Sequence, residues 1–331
     1  MPVRGIPIFP GKRCSVHETE SQSKKGVVMG LLKRTCRKWV LEFPENLKVL
    51  GVMRRLSLNW EAEDAGKGVS VVIFSKDRPM QLEALMGSYW HFVKNPRPPV
   101  VIYNASTAGF SKAYKALFER QGGRVAKTIN DEGGFKTALK DTLASLNTRH
   151  MMFLVDDIVF IRPIDLGLYQ FDSSHLVPSL RLAPHIVKSY MGNRALTLPA
   201  LHREDGFFYW KYNTGRGQWG YPLSVDGHIF HVWEVRLMVE ALDFRAPNSF
   251  EYKLQKFNPI FRRRKGVCQA RSVILNIPAN RVQQEIDNRS DDIDPVELLR
   301  VFPTQKIDFL RYEGMLNESC HEEHPLYFSE R

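Results

Sequence analysis

Between residues 69 and 155 short apolar runs alternate with longer stretches of helical periodicity, and no other property of the chain narrows its fold so far. "VSVVIFS" (69–75), "PPVVIYNAS" (98–106), "RVAKTIN" (124–130) and "MMFLV" (151–155) read as strands. Between them "RPMQLEALMGSYWHFV", "SKAYKALFERQ" and "FKTALKDTLASLN" read as helices, the first with Leu82, Leu85, Met86 and Tyr89 on one side. This rhythm predicts an α/β fold with a mostly parallel, Rossmann-like central sheet flanked by helices. Ligands of such sheets bind outside the carboxyl ends of the strands. The polar clusters of this half lie there: Ser75 to Arg78, Asn104 to Ser106, and Asp156 with Asp157. The second half is less regular, with short strands such as "HLVPSLRL" and "RSVILNIP" and loops crowded with Trp, Tyr and Gly.

The fourth strand runs straight into two adjacent carboxylates, "MMFLVDDIVFIRP". Neighbouring negative charges repel, and next to an apolar core they require a compensating positive group. A bound cation is one such group, because carboxylate oxygens are hard ligands suited to Mg²⁺ or Mn²⁺, which take one or two protein carboxylates and fill their shell from substrate phosphates. The alternative is that Asp156 caps a turn and Asp157 faces solvent.

The chain has 331 residues, 43% of them hydrophobic, and a formal charge of +11, which favours anionic partners. Twelve Lys and Arg against four Glu place +8 of that charge in residues 1–60. Residues 27–60 spell a basic amphipathic helix, with Val28, Leu31, Leu32, Trp39, Val40 and Phe43 between Lys33, Arg34, Arg37 and Lys38. It either lies on an acidic membrane surface or packs on the main domain with a solvated basic face. No apolar run reaches the length of a membrane span, and no signal peptide is recognisable at the N-terminus. The four cysteines form no CxxC pair, so a cytoplasmic location, peripheral at the inner membrane face if the helix binds lipid, is the expectation.

Three motifs in order carry a family resemblance. "VVIFSKDRPMQLEALMGSYW" resembles the opening strand and S/T-x-x-R-P helix of nucleotide-sugar glycosyltransferases with the GT-A fold, "GGFKTALKDTLASLN" the helix before their acidic signature, and "VDDIVFIRPIDL" that DXD-type signature itself. The resemblance covers residues 68–165 well and the rest loosely. It implies a GT-A organisation with a basic arm and helix in 1–66, a nucleotide-sugar-binding half in 67–165 and an acceptor-binding half in 166–331. It further implies that Ser75, Lys76, Asp77 and Arg78 line the base and ribose pocket, that Lys136 approaches the nucleotide, that Asp156 contacts ribose or sugar, and that Asp157 ligates a Mn²⁺ or Mg²⁺ bridging the diphosphate. Where the family often has an Asp after the second strand, this chain has Asn104.

In "GQWGYPLSVDGHIFHVW" Asp226 is the candidate catalytic base, although "VDG" also reads as a tight turn. His228, close behind it, could complete the metal shell. Glu251 reads as a cap for its own helix, "RRRK" (262–265) as a phosphate or lipid contact or a solvated face, and "HEEHPLYF" as a false match to a metal-binding HExxH helix. The tryptophans and tyrosines of 209–221 suit sugar stacking or the core equally. The expected function is transfer of a hexosyl unit from a nucleoside-diphosphate sugar to a glycan or lipid-linked acceptor, in polysaccharide or glycolipid synthesis. A nucleotidyltransferase or a basic nucleic-acid-binding protein is the alternative. Against the first, "SKDRP" has no glycine. Against the second, the charge sits in one terminal segment, so no nucleic-acid partner is expected.

Overall fold

A computed structural model of the chain describes residues 43–58, 66–131, 134–169, 171, 175–190, 192–280 and 293–331. Most of the amphipathic helix expected in 27–60 lies outside the described residues. Lys48–Arg331 forms one compact unit, in which Val49 and Leu56, from a helical segment, are buried in the core.

The expected alternation is present: β1 (Gly66–Lys76), α1 (Pro79–Phe92), β2 (Val100–Asn104), α2 (Ala108–Gln121), β3 (Lys127–Asn130), α3 (Phe135–Ser145) and β4 (Thr148–Val155). Pro79, whose ring fixes φ and which has no N–H to leave unpaired, starts α1. The Thr107 hydroxyl accepts from the N–H of Phe110 to start α2. There follow β5 (Ile158–Phe160), β6 (Leu176–Pro178), β7 (His202–Glu204), β8 (Phe207–Lys211), β9 (Ile229–His231), α4 (Val232–Ala241), α5 (Pro247–Leu254), β10 (Lys265–Cys268) and β11 (Ile274–Asn276).

The central sheet has the order β9-β4-β1-β2-β3, parallel except for β9, which runs antiparallel to β4 at the edge. The chain winds outward from β1 through β2 to β3, then returns to β4 on the other side of β1. The direction therefore reverses between β1 and β4, the position where a crevice opens at the strands' carboxyl ends. A smaller sheet, β6-β10-β8-β7, belongs to the less regular half.

Alternate residues of the central strands feed two separate cores. Val72, Phe74, Met151 and Phe153 pack with α3, α4 and α5 on one face. Val71, Ile73, Met152 and Leu154 pack with α1 and α2 on the other. Burial on both faces explains why β1 and β4 read as unbroken apolar runs instead of alternating patterns.

In the second half Trp210, Trp219 and Tyr212 are core residues, at most 2% exposed. Gly266 lies opposite Trp210, whose ring occupies the space a side chain there would need. The "RRRK" run is divided. Arg262, Arg263 and Lys265 are exposed, whereas Arg264 is buried, donates two hydrogen bonds to Glu234 of α4 at 2.6 and 2.9 Å, and stacks on Phe261. Removing the cation leaves a buried carboxylate uncompensated. We therefore expect Arg264→Ala to lower the unfolding free energy by about 3–5 kcal/mol in urea denaturation, and the double replacement Arg264→Met with Glu234→Leu to recover most of that loss.

Candidate functional site

The two aspartates that end β4 are met by an arginine from the end of β1. Arg78 lies 2.9 Å from Asp156 and 3.6 Å from Asp157. Its Nε donates to Asn280 Oδ1 at 2.7 Å, and its Nη2 donates to the Asn280 carbonyl oxygen. Asp156 also accepts from the backbone N–H of Lys76 at 3.0 Å. The turn that delivers Arg78 requires Asp77 at φ 53°, held by its own N–H on the Asn104 carbonyl and by Oδ1 accepting from the N–H of Ser106. Burial works against the charge on Arg78, but the two carboxylates outweigh it and raise its pKa. Ser75 is hydrogen-bonded to the buried hydroxyl of Tyr114, 2.6 Å away, which in turn accepts from the N–H of Arg78.

The polar cluster at the switch point thus contains Ser75, Asp77, Arg78, Asn104 and Asp156, with the exposed Lys76 side chain at its lip. Asn104 donates to Asp131 at 2.7 Å, so a carboxylate does stand beside this position, supplied from the end of β3. Lys136, expected to approach the nucleotide, makes its bonds outside this group. Its amine donates to the Leu242 carbonyl at 2.5 Å and faces the Phe244 ring, because Phe135 beside it is drawn into the aromatic core with Phe74, Phe244 and Phe250.

A second charged cluster forms around Asp226. Gly227 has φ 71°, and a β-carbon there would fall 2.2 Å from Ile274 Cδ1, so the "VDG" turn is real and needs its glycine. Backbone bonds from Gly227 to the Phe153 carbonyl and from Leu180 to the Gly227 carbonyl lock this turn against β4 and the segment carrying Arg181. Arg181 donates to Asp226 Oδ2 at 2.5 Å and to Ser224 Oγ at 2.9 Å. The Glu251 carboxylate accepts from the N–H of Val225 at 3.3 Å. The expected cap of α5 is Ser249 alone, whose hydroxyl accepts from the N–H of Ala246, leaving Glu251 to turn inward.

His321, from the tail, completes the cluster with Nε2 3.5 Å from Asp226 Oδ2. It arrives by a backbone bridge to Asn276: the N–H of Asn276 donates to the Cys320 carbonyl and the N–H of Glu322 to the Asn276 carbonyl. The Asn276 side chain donates to Asp157 at 3.3 Å, which ties the tail to the acidic pair. His228 lies on the closed side. It is 1% exposed, its ring Nδ1 is 3.0 Å from the Pro222 carbonyl, and burial together with Arg181 depresses its pKa to about 3, so it is neutral. The imidazole on the open side of Asp226 is His321.

The carboxylates divide in their proton affinity. Burial pushes Asp226 up, but the hydrogen bond from His321 and the charge of Arg181 outweigh it and bring it down to about 2. Burial and the neighbouring Asp226 push Glu251 up to about 7, and burial, Asp156 and Asp226 push Asp157 up to about 6 against the pull of Arg78.

Among the described residues no three His, Cys, Asp or Glu side chains converge as a ready-made metal cage. The donor groups on the open side of Asp226 that a Mg²⁺ or Mn²⁺ could use are the Asp157 carboxylate and His321, whose buried Nδ1 has no hydrogen-bond partner.

With the doubly wound sheet and the acidic pair at its switch point described, the chain can be compared with known proteins. No family model matches the chain. The curated bifunctional glycosyltransferase pgtA of Dictyostelium discoideum is 23% identical over 261 residues, 67% of this chain and 33% of that protein. The chain thus spans about one third of the length of the curated relative it matches. The match bears out the glycosyltransferase resemblance carried by the three motifs. Among solved structures, the apo WbbM bifunctional glycosyltransferase is 16% identical with a TM-score of 0.34, over 60% of this chain and 38% of that one. The 4-diphosphocytidyl-2C-methyl-D-erythritol synthase of Anaerococcus prevotii is 12% identical with a TM-score of 0.35, over 63% and 90%.

Because folded, metal-free protein holds protons on Asp157 and Glu251 above their ordinary 3.8 and 4.5, the unfolding free energy falls as pH rises from about 4 to about 7. Asp226 acts in the opposite sense, and its contribution is lost as pH falls toward about 2. Thermal melts should therefore give a lower Tm at pH 8 than at pH 5, and Glu251→Gln should flatten that slope. A slope unchanged by the substitution would show that Glu251 is not the titrating group.

Proposed function

We propose that the chain is a metal-dependent glycosyltransferase, moving a hexosyl unit from a nucleoside-diphosphate sugar to a glycan or lipid-linked acceptor. One observation carries this reading: two acidic centres of different proton affinity, each with one buried and one half-buried carboxylate, Asp156–Asp157 at the switch point and Asp226–Glu251 beyond it, are joined through Asn276 and His321.

In this reading Ser75, Lys76, Asp77, Arg78, Asn104 and Asp156 hold the nucleotide and the sugar's near side. Arg78 keeps Asp156 oriented while adding positive charge beside the diphosphate. Asp157 and His321 would hold Mg²⁺ or Mn²⁺, which when bound offsets the negative charge growing on the leaving diphosphate. Asp226, ionised throughout the neutral range, faces the positive charge that develops on the sugar ring in an oxocarbenium-like transition state. Its low pKa makes it a weak base alone. Glu251 supplies the missing affinity, so that the coupled pair takes up the acceptor's proton near neutral pH.

Calorimetric titration with UDP, GDP, CDP and TDP sugars, with and without Mn²⁺, tests the assignment. One nucleotide should bind in a metal-dependent manner, and Asp157→Ala should abolish that dependence without unfolding the protein. Asp226→Asn should leave nucleotide affinity unchanged and lower kcat by about 10²–10⁴-fold. Failure of all four nucleotides to bind would refute the reading.

The acceptor's membrane connection runs through residues 27–60. Because Val49 and Leu56 belong to the core, the test is flotation with acidic vesicles of the chain with and without residues 1–42, where only the longer form should float.

A further inference from the structure

Beyond the charged clusters lies a cavity of about 410 Å³ that they do not use, within the range of small-molecule sites. Its walls are the hairpin of Lys188, Ser189, Arg194 and Ala195 and the tail segment Glu318–Glu323. His321 lines it and stands 3.5 Å from Asp226, so one side chain is shared between the cavity and the candidate catalytic carboxylate.

The cavity is held open by bonds between its two walls. The N–H groups of Val187 and Lys188 both donate to the Glu318 carbonyl at 2.9 Å, and the N–H of Tyr190 donates to Ser319 Oγ at 3.2 Å. The Lys188 amine pairs with the Glu318 carboxylate, and the Tyr190 hydroxyl donates to Glu323. Asn193, at φ 41°, makes the tight turn that returns the hairpin to the same wall.

Its lining is acidic on balance. The lining carries Glu318, Glu322 and Glu323 against Lys188 and Arg194, and Lys188 is already neutralised by Glu318. A phosphate or carboxylate would meet surplus negative charge here, whereas sugar hydroxyls can donate to carboxylates and accept from Arg194 and Asn193. The tyrosine adds a face on which a sugar ring can lie.

We propose that this cavity is the acceptor subsite and that it selects a neutral, hydroxyl-rich sugar over an acidic or phosphorylated one. The proposal rests on the glycosyltransferase reading for its role but not for its existence as a sugar site. The occupant's hydroxyl would reach the Asp226 cluster past His321, while the nucleotide is held at the Arg78 end.

Saturation-transfer NMR on the full chain, with neutral methyl hexosides and the matching methyl hexuronates as probes, tests it directly. At least one neutral glycoside should give a signal, and its uronate should bind about tenfold more weakly. Ala195→Trp, which fills the cavity from an exposed strand position, should remove the glycoside signal while the nucleotide titration stays within about twofold of the unsubstituted chain. Glu322→Gln with Glu323→Gln should narrow the gap between glycoside and uronate. Uronates binding as well as glycosides, no glycoside binding, or a signal that survives Ala195→Trp would each overturn the proposal. Glycosides that bind and are blocked by Ala195→Trp in a protein that ignores every nucleotide would uphold the sugar site and refute the glycosyltransferase reading instead.

Discussion

The contact between Arg78 and the Asp156–Asp157 pair is the interaction on which the site depends. Two carboxylates at the end of a strand buried on both faces would carry a large desolvation penalty without a cation, and the chain builds one in from the neighbouring parallel strand. Its position is over-determined: Pro79 begins the helix immediately after it, Asp77 takes a left-handed turn before it, and Asn280 binds its far side. The ends of β1 and β4 are therefore clamped to each other by charge as well as by their ladder. A ligand arriving there meets a preorganised surface, with little side-chain freedom left to lose.

The alternating half of the fold was legible because a strand covered on both faces and an amphipathic helix leave different periodicities in the sequence. Ser75, Asp77, Arg78, Asn104 and Asp156 could be placed together for the same reason: they follow strands whose order the pattern implies. Lys136 turns to the Leu242 carbonyl because its neighbour Phe135, an unremarkable residue in the sequence, commits that turn of α3 to an aromatic cluster. Arg181, Glu251 and His321 were missed or misread, each for a physical reason. Arg181 follows a short strand with no motif. Glu251 sits where a capping box would place it, yet Ser249 alone satisfies the helix end. His321 belongs to a segment examined only as a helix with two ligands, whereas it acts from an extended bridge to Asn276, a pairing of distant residues that no local pattern encodes.

Neither charged end of the site carries a basic surplus. Asp77, Asp156 and Asp157 stand against Lys76 and Arg78 at the switch point, and Glu318, Glu322 and Glu323 against Lys188 and Arg194 at the tail cavity. An anionic group arriving at either end therefore needs a further cation beside it.

The bridge between Asn276 and residues 320–322 brings in a segment far along the chain. The five strands of the central sheet lie within residues 66–231 and α4 and α5, which cover one face, end at Leu254, whereas His321 follows some seventy residues later. His321 thus joins a framework whose strands all precede it in the chain. A chain cut before residue 318 would keep the five strands and the acidic pair but lose the segment that links that pair to Asp226.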